Sequence, residues 1–135
     1  MEPEILISTD ASLLDIPLIH DFLSHTYWAE GRSIEDVQHS VNHSMCFGIY
    51  KNQQQIGLAR VVTDMTVFAY IMDVFILESE RGKGYARQLM HAVLSHPDLT
   101  KVSQWRLATR DAHSLYEKVG FRTLQMPERW MELRR

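Results

Sequence analysis

Apolar and polar residues alternate from Glu4 to Ser8, the period of a short half-buried strand. Leu13, Leu14, Ile16, Leu18, Ile19, Phe22 and Leu23 then recur at helical intervals, and Pro17 falls within the first turn, where a missing N–H is tolerated. Ser33 followed by Asp36 is a capping signal for a second helix, with Ile34, Val37 and Val41 on its inner face. The middle of the chain predicts three antiparallel strands: Met45 to Tyr50, Gln55 to Thr63 and Val67 to Leu77. Polar turns at Lys51 to Gln54 and Asp64 to Thr66 separate them. From Gly84 the period changes, because Ala86, Leu89, Met90, Val93 and Leu94 form a helical stripe that Pro97 ends. Gln104 to Thr109 predicts another strand. Ala112, Leu115, Tyr116 and Val119 predict a last helix closed by Gly120, and Phe121 to Leu124 and Arg129 to Leu133 read as terminal strands. A strand, crossover helix and strand beside a meander make a mixed, mostly antiparallel α/β sheet with helices on both faces.

A chain of 135 residues without repeats or low-complexity linkers has room for one core, so residues 1–135 are read as a single domain. Its 45% hydrophobic and 23% charged residues are those of a globular protein. With a net charge of -3 and scattered Lys and Arg, no basic stripe for a nucleic acid is visible. Cys46 is the only cysteine, which excludes an internal disulfide and fits a reducing compartment. The start lacks a leader pattern and no apolar run reaches the roughly 18 residues of a membrane span, so a cytoplasmic protein without membrane partners is expected. Among the seven histidines only His39 and His43 have the spacing of a helical ligand pair, and without an HExxH context no metal is expected. Trp105, Trp130, Met126 and Met131 are read as packing residues.

The most informative segment runs from Val74 to Ala86, an apolar strand passing through a short polar loop into an amphipathic helix. The first N–H groups of a helix lack partners and the macrodipole is positive there, so a phosphate can accept several of them at once. Gly82 and Gly84 allow unusual dihedrals and close approach to the backbone, while Arg81 and Lys83 add positive charge. A Walker loop does not fit these letters, and a dinucleotide fingerprint would need a glycine where Arg87 stands. The R-x-x-G-x-A pattern at Arg81, Gly84 and Ala86 resembles the signature of the GCN5-related N-acetyltransferases (GNAT). Downstream, Thr109 to Phe121, with A-x-x-L-Y-E-K-x-G-F from Ala112, is similar to the closing motif of the same family.

That resemblance implies an acetyl-CoA-dependent N-acetyltransferase in which coenzyme and acceptor are bound together. It places the coenzyme diphosphate on Arg81, Gly82, Lys83, Gly84, Tyr85 and Ala86. It lays the pantetheine arm along Val74 to Leu77, with an amide near Phe75 or Ile76 facing the thioester carbonyl. Thr109 and His113 belong to the same cofactor surface, and Thr109 departs from the asparagine that the family often has seven residues before its tyrosine. Tyr116 matches the tyrosine set beside the sulfur, as acid or as hydrogen-bond donor. Tyr27, Trp28, Glu30 and Arg32, between the first two helices, border the acceptor cleft in the resembling family.

A lysine-like acceptor is neutral in only about one molecule in 2,500 at pH 7, a cost of roughly 4.6 kcal/mol, so a proton acceptor is expected. Asp73 interrupts an otherwise apolar run and is the candidate, with Asp64 in the preceding turn as a second carboxylate toward substrate. An ion pair of Asp73 with Arg60 or Arg106 is the competing role. The acceptor is expected to be a small-molecule or peptide amine, and the protein a monomer or homodimer. Two other functions are compatible with these residues: a non-catalytic CoA or acyl-CoA sensor, and a nucleotide- or anion-binding regulatory domain.

Overall fold

The computed structural model describes residues 2–135; Met1, which opens the segment read above for a leader, lies outside them. Strand β1 (Ile5–Ser8) is followed by helices α1 (Ile16–Leu23) and α2 (Ile34–Asn42). The meander β2 (Met45–Lys51), β3 (Gln54–Thr63) and β4 (Phe68–Ile76) comes next, then helix α3 (Tyr85–Ser95), strand β5 (Gln104–Leu107) and helix α4 (His113–Glu117). The strands form one sheet in chain order, antiparallel throughout except for the parallel pair β4–β5. The mixed sheet with helices on both faces is as the periodicity predicts.

Capping explains where the first helices start. The Asp15 carboxylate accepts from the Leu18 amide at 3.1 Å with Pro17 in the first turn, and Ser33 Oγ accepts from the Asp36 amide at 3.0 Å. Ile19 and Leu23 of α1 and Val37 and Val41 of α2 are buried against Cys46, Leu58 and Phe75 on one sheet face. Ile34 is not part of that face and is 38% exposed. Helical side chains lean toward the N-terminus, so the side chain of a first residue extends past the helix end. On the opposite face Tyr85, Leu89, Met90 and Val93 of α3 pack on Phe47, Ile49, Val61 and Ile71.

The sequence reading fails in the C-terminal segment. Neither Phe121 to Leu124 nor Arg129 to Leu133 is a strand; a short 3-10 turn, Pro127–Arg129, lies between them. A strand exists through its ladder, and among the described residues nothing pairs with either segment. Strand β5 also stops at Leu107, two residues short of the predicted end. Of the tail side chains read as packing residues, Met131 is 97% exposed, while Met126 and Trp130 are partly covered at 39% and 45%.

Candidate active site

The site is built on a defect in β4. Leu58 faces Phe75 across the β3–β4 ladder while Arg60 faces Met72, so one residue of β3 stands opposite two of β4, Asp73 and Val74. This is a β-bulge, and within it Asp73 takes a left-handed φ of 53°. An added residue reverses which face each later side chain meets. Ala69 and Ile71 point to α3, whereas beyond the bulge it is Ile76 that does so, and Phe75 turns to α1, stacking on Phe22 at 4.1 Å and 11°.

The bulge is held by charge. Asp73 is buried, and its Oδ2 accepts from Arg32 Nη1 at 2.7 Å and Arg60 Nε at 2.8 Å, while Oδ1 accepts from Trp28 Nε1 at 3.0 Å. Burial pushes the carboxyl upward, but the hydrogen bonds and charges of Arg32 and Arg60 outweigh it and hold Asp73 below the usual range. Of the two ion-pair partners considered for Asp73, the geometry gives Arg60 and not Arg106. Arg106 lies instead under the Trp130 ring, 4.8 Å from its centroid.

Past the bulge β4 and β5 part. Their pairing ends at Ile71↔Leu107, so from Met72 to Ile76 the β5-facing edge of β4 has no strand partner. The opened edge leads directly into the glycine loop, where Gly82 and Gly84 have φ of 77° and 83°. Gly84 caps α3, and a Cβ on either glycine would point into open space. From Gly82 through Arg87, the amide groups find no acceptor among the described residues. Lys83 reaches this mouth and pairs with Glu80 at 3.1 Å, and Glu80 also binds Lys51 at 2.8 Å. Arg81 turns back to donate from Nε to the Ile76 carbonyl at 3.1 Å. Open space in front of unpaired amides at a helix start fits a diphosphate.

The far wall comes from α4 and from the α1–α2 connection. Tyr116 is buried edge-on to Phe121, with ring centroids 6.0 Å apart, where Phe121 N–H closes α4 on the Tyr116 carbonyl. Burial, with a smaller contribution from Tyr27, pushes its phenol up to about 12. Tyr27 Oη accepts from the Arg110 amide at 3.2 Å, the Arg110 guanidinium lies 3.9 Å from the Tyr27 ring centre, and Trp28 packs edge-on to that ring at 5.2 Å. The α1–α2 connection is thereby tied to the bulge through Trp28 and Arg32 and to the β5–α4 loop through Tyr27.

Most of the expected residues therefore converge. Asp73, Trp28 and Arg32 form one cluster, Tyr27 bridges it toward Tyr116, and Phe75 and Ile76 lie on the strand leading to Gly82–Ala86. Tyr85 contributes only main chain there, since its side chain is buried in the α3 core. Thr109 Oγ1 accepts from the Ala112 amide at 3.0 Å, and His113 is the exposed first residue of α4. Asp64 is not brought to the cluster. Its Oδ1 organises the β3–β4 turn by accepting from the amides of Thr66, Val67 and Phe68, which keeps its pKa low. Glu30 is exposed and forms no ion pair among the described residues. Sequence reasoning missed the aromatic strap, because no spacing links Arg110 to Tyr27. It also missed the bulge, whose single trace is a charged residue within an apolar run. A cavity of about 910 Å³ lies between β5, α4 and the segment after α4, and Thr109, His113 and Tyr116 are among the residues that line it.

An unpaired strand edge opening onto a loop of free amides has room for an extended ligand that carries phosphate, and comparison with known proteins makes the class definite. Residues 42–123 match the family model described as acetyltransferase (GNAT) domain. A Gibberella zeae protein designated an acetyltransferase is 29% identical over 84% of this chain and 76% of its own length. A Xanthomonas campestris crystal structure assigned to GNAT acetyltransferases is 45% identical, with a TM-score of 0.94 over 99% of this chain and 95% of that one. A Clostridium acetobutylicum acetyltransferase, solved with acetyl-CoA, shares the fold at 16% identity, with a TM-score of 0.70 over 98% and 96% of the two chains. The protein is an acetyltransferase. It belongs to the GNAT family.

Proposed function

We propose that this acetyltransferase takes its acetyl group from acetyl-CoA and passes it directly to an amine held in the same complex. The observation that carries the reading is the unpaired edge of β4 running from the Asp73 bulge into the free amides of Gly82 to Arg87. Those amides, with Lys83 and Arg87 beside them, suit the diphosphate, and the β4 edge suits an extended arm added as a further strand. When bound, the coenzyme supplies a thioester carbonyl open to attack. An amide near Phe75 or Ile76 stabilises the oxygen that becomes negative, and Tyr116 donates a hydrogen bond to the departing sulfur. Against a thiol of pKa about 8.5, a phenol at about 12 gives up its proton at a cost near 5 kcal/mol, so Tyr116 acts as a donor and keeps its proton. The proton that the attacking nitrogen sheds as the C–S bond breaks goes to the departing sulfur, leaving amide and free thiol.

Asp73 acts as a positioning residue. A carboxylate held low by two arginines is a weak base toward an ammonium of pKa about 10.4. It fixes the bulge that aims Phe75 and Ile76, and it orients Trp28 and Arg32 at the mouth where a small-molecule or peptide amine enters. The reading also takes the reaction to be cytoplasmic, where acetyl-CoA is made. The deciding experiment is a panel of primary amines with acetyl-CoA and a free-thiol readout. Thiol release that depends on the amine is expected. CoA binding without release for any amine would leave a sensor module and end the proposal.

A further inference from the structure

We infer that the acceptor is an amine that also carries a carboxylate, and that Arg32 receives this carboxylate beside the aromatic pair Tyr27 and Trp28. The inference rests on the acetyl-transfer reading and narrows its acceptor. It starts from the charges at the bulge. Two guanidinium groups, those of Arg32 and Arg60, share the single carboxylate of Asp73, which leaves one positive charge in excess. Among the described residues no other carboxylate pairs with either arginine, and Glu30, two positions before Arg32, is exposed and forms no ion pair.

The excess is presented by Arg32. Arg60 is buried and engages each of its nitrogens within the protein: Nε donates to Asp73 Oδ2 at 2.8 Å, Nη1 to Ser44 Oγ at 2.9 Å and Nη2 to the Met72 sulfur at 3.2 Å. Arg32 engages Nη1 alone, at 2.7 Å from Asp73 Oδ2, while its Nε and Nη2 find no acceptor among the described residues and neither is enclosed. The Nε–Nη2 edge of a guanidinium offers two parallel N–H groups at the spacing of the two oxygens of a carboxylate. That edge is held in place from both ends. Gly31, with a φ of 91°, turns the chain into Arg32, His20 Nε2 donates to the Arg32 carbonyl at 3.1 Å, and Asp73 fixes the tip. Trp28 donates to the other oxygen of the same Asp73, and Tyr27 stands edge-on to Trp28. The two aromatic residues are 40% and 49% exposed, an apolar flank for the carbon chain of an acceptor.

Charge also selects among acceptors. One carboxylate balances one excess guanidinium, whereas a phosphate monoester carries a charge of about -2 and would overshoot it next to Asp73. A diamine would bring further positive charge to a mouth that already has too much.

The test is turnover of matched acceptors by the wild-type chain with acetyl-CoA and a free-thiol readout: glycine, β-alanine, methionine and phenylalanine, each against its own carboxamide. The carboxamide has the less basic amine of each pair, so a preference for the carboxylate cannot come from basicity. A kcat/KM at least about 10-fold higher is expected for one or more of the carboxylates. Arg32→Gln should remove that preference, lowering kcat/KM for the carboxylate by about 10-fold or more and leaving the carboxamide within about threefold. Should the variant fold poorly, the wild-type pairs decide by themselves. Carboxamides that serve as well as every carboxylate, or O-phosphoethanolamine that serves better than both, overturn the inference and leave acetyl transfer standing. A preference that persists in Arg32→Gln overturns it too. Thiol release with no amine at all ends the acetyl-transfer reading, and this inference with it.

Discussion

Tyr116 and Asp73 show how far burial and partners separate two ionisable groups within one site. Burial, with a smaller contribution from Tyr27, favours the neutral phenol of Tyr116, and its proton stays in place across the working range of pH. Tyr116→Phe should therefore remove one hydrogen bond to a developing charge, about 2 kcal/mol, and lower kcat about 30-fold. CoA affinity measured by calorimetry should stay within a factor of about three, since the diphosphate amides are untouched. Asp73 is the opposite case, a buried carboxylate kept ionised by Arg32 and Arg60. Asp73→Asn leaves two guanidinium groups facing a neutral amide and should destabilise the fold by about 3–5 kcal/mol at pH 7. Because the native pKa is depressed, that advantage is present above the unfolded value of about 3.9 and is lost as pH falls through the native one. Urea unfolding of both proteins should accordingly show a large gap at pH 7 that narrows steadily below about pH 4.

The strand-loop-helix unit places a strained bulge at one end of an exposed edge and a helix start at the other. Gly84 is where the unit is most sensitive to substitution, since its φ of 83° suits glycine while a Cβ would meet nothing within the chain. Gly84→Ala should cost the fold only about 1–2 kcal/mol, the strain of a left-handed alanine. The same methyl group, however, would occupy the open space in front of the amides. The KM for acetyl-CoA is expected to rise at least about 10-fold while the melting temperature drops by only several degrees. If KM holds while stability falls, the amides of α3 do not contact the diphosphate. The bulge and the loop also explain why the motif letters were informative: the loop glycines are required locally, by dihedral angles that few other residues adopt.

At the scale of the whole molecule, legibility followed the range of the interactions. Strands β1 to β4, the capped helices and the glycine loop come from local periodicity and turn chemistry, and each was visible in the order of residues. The pairing of Asp73 with Arg32 joins positions 41 residues apart, and that of Tyr27 with Arg110 joins positions 83 apart. No local pattern encodes such contacts. The tail misled for a related reason, because its alternation is that of a strand while no strand among the described residues pairs with it.

The long-range ties make the site a junction of separate parts: α1–α2 is anchored to the bulge, the bulge to β4, and β4 to the start of α3. A ligand spanning loop and gap should therefore stabilise the entire domain, and its two halves should do so unequally. CoA at 100 times its dissociation constant adds about 2.7 kcal/mol, which for a chain of this size is a rise on the order of 10 °C in melting temperature. Pantetheine without the diphosphate, at the same concentration, keeps the β4 edge but gives up the amides of Gly82 to Arg87, and a rise of no more than about 2 °C is expected. Equal shifts from the two compounds would show that the edge of β4 binds the arm without help from the helix start, and the division of labour between bulge and loop would have to be reversed.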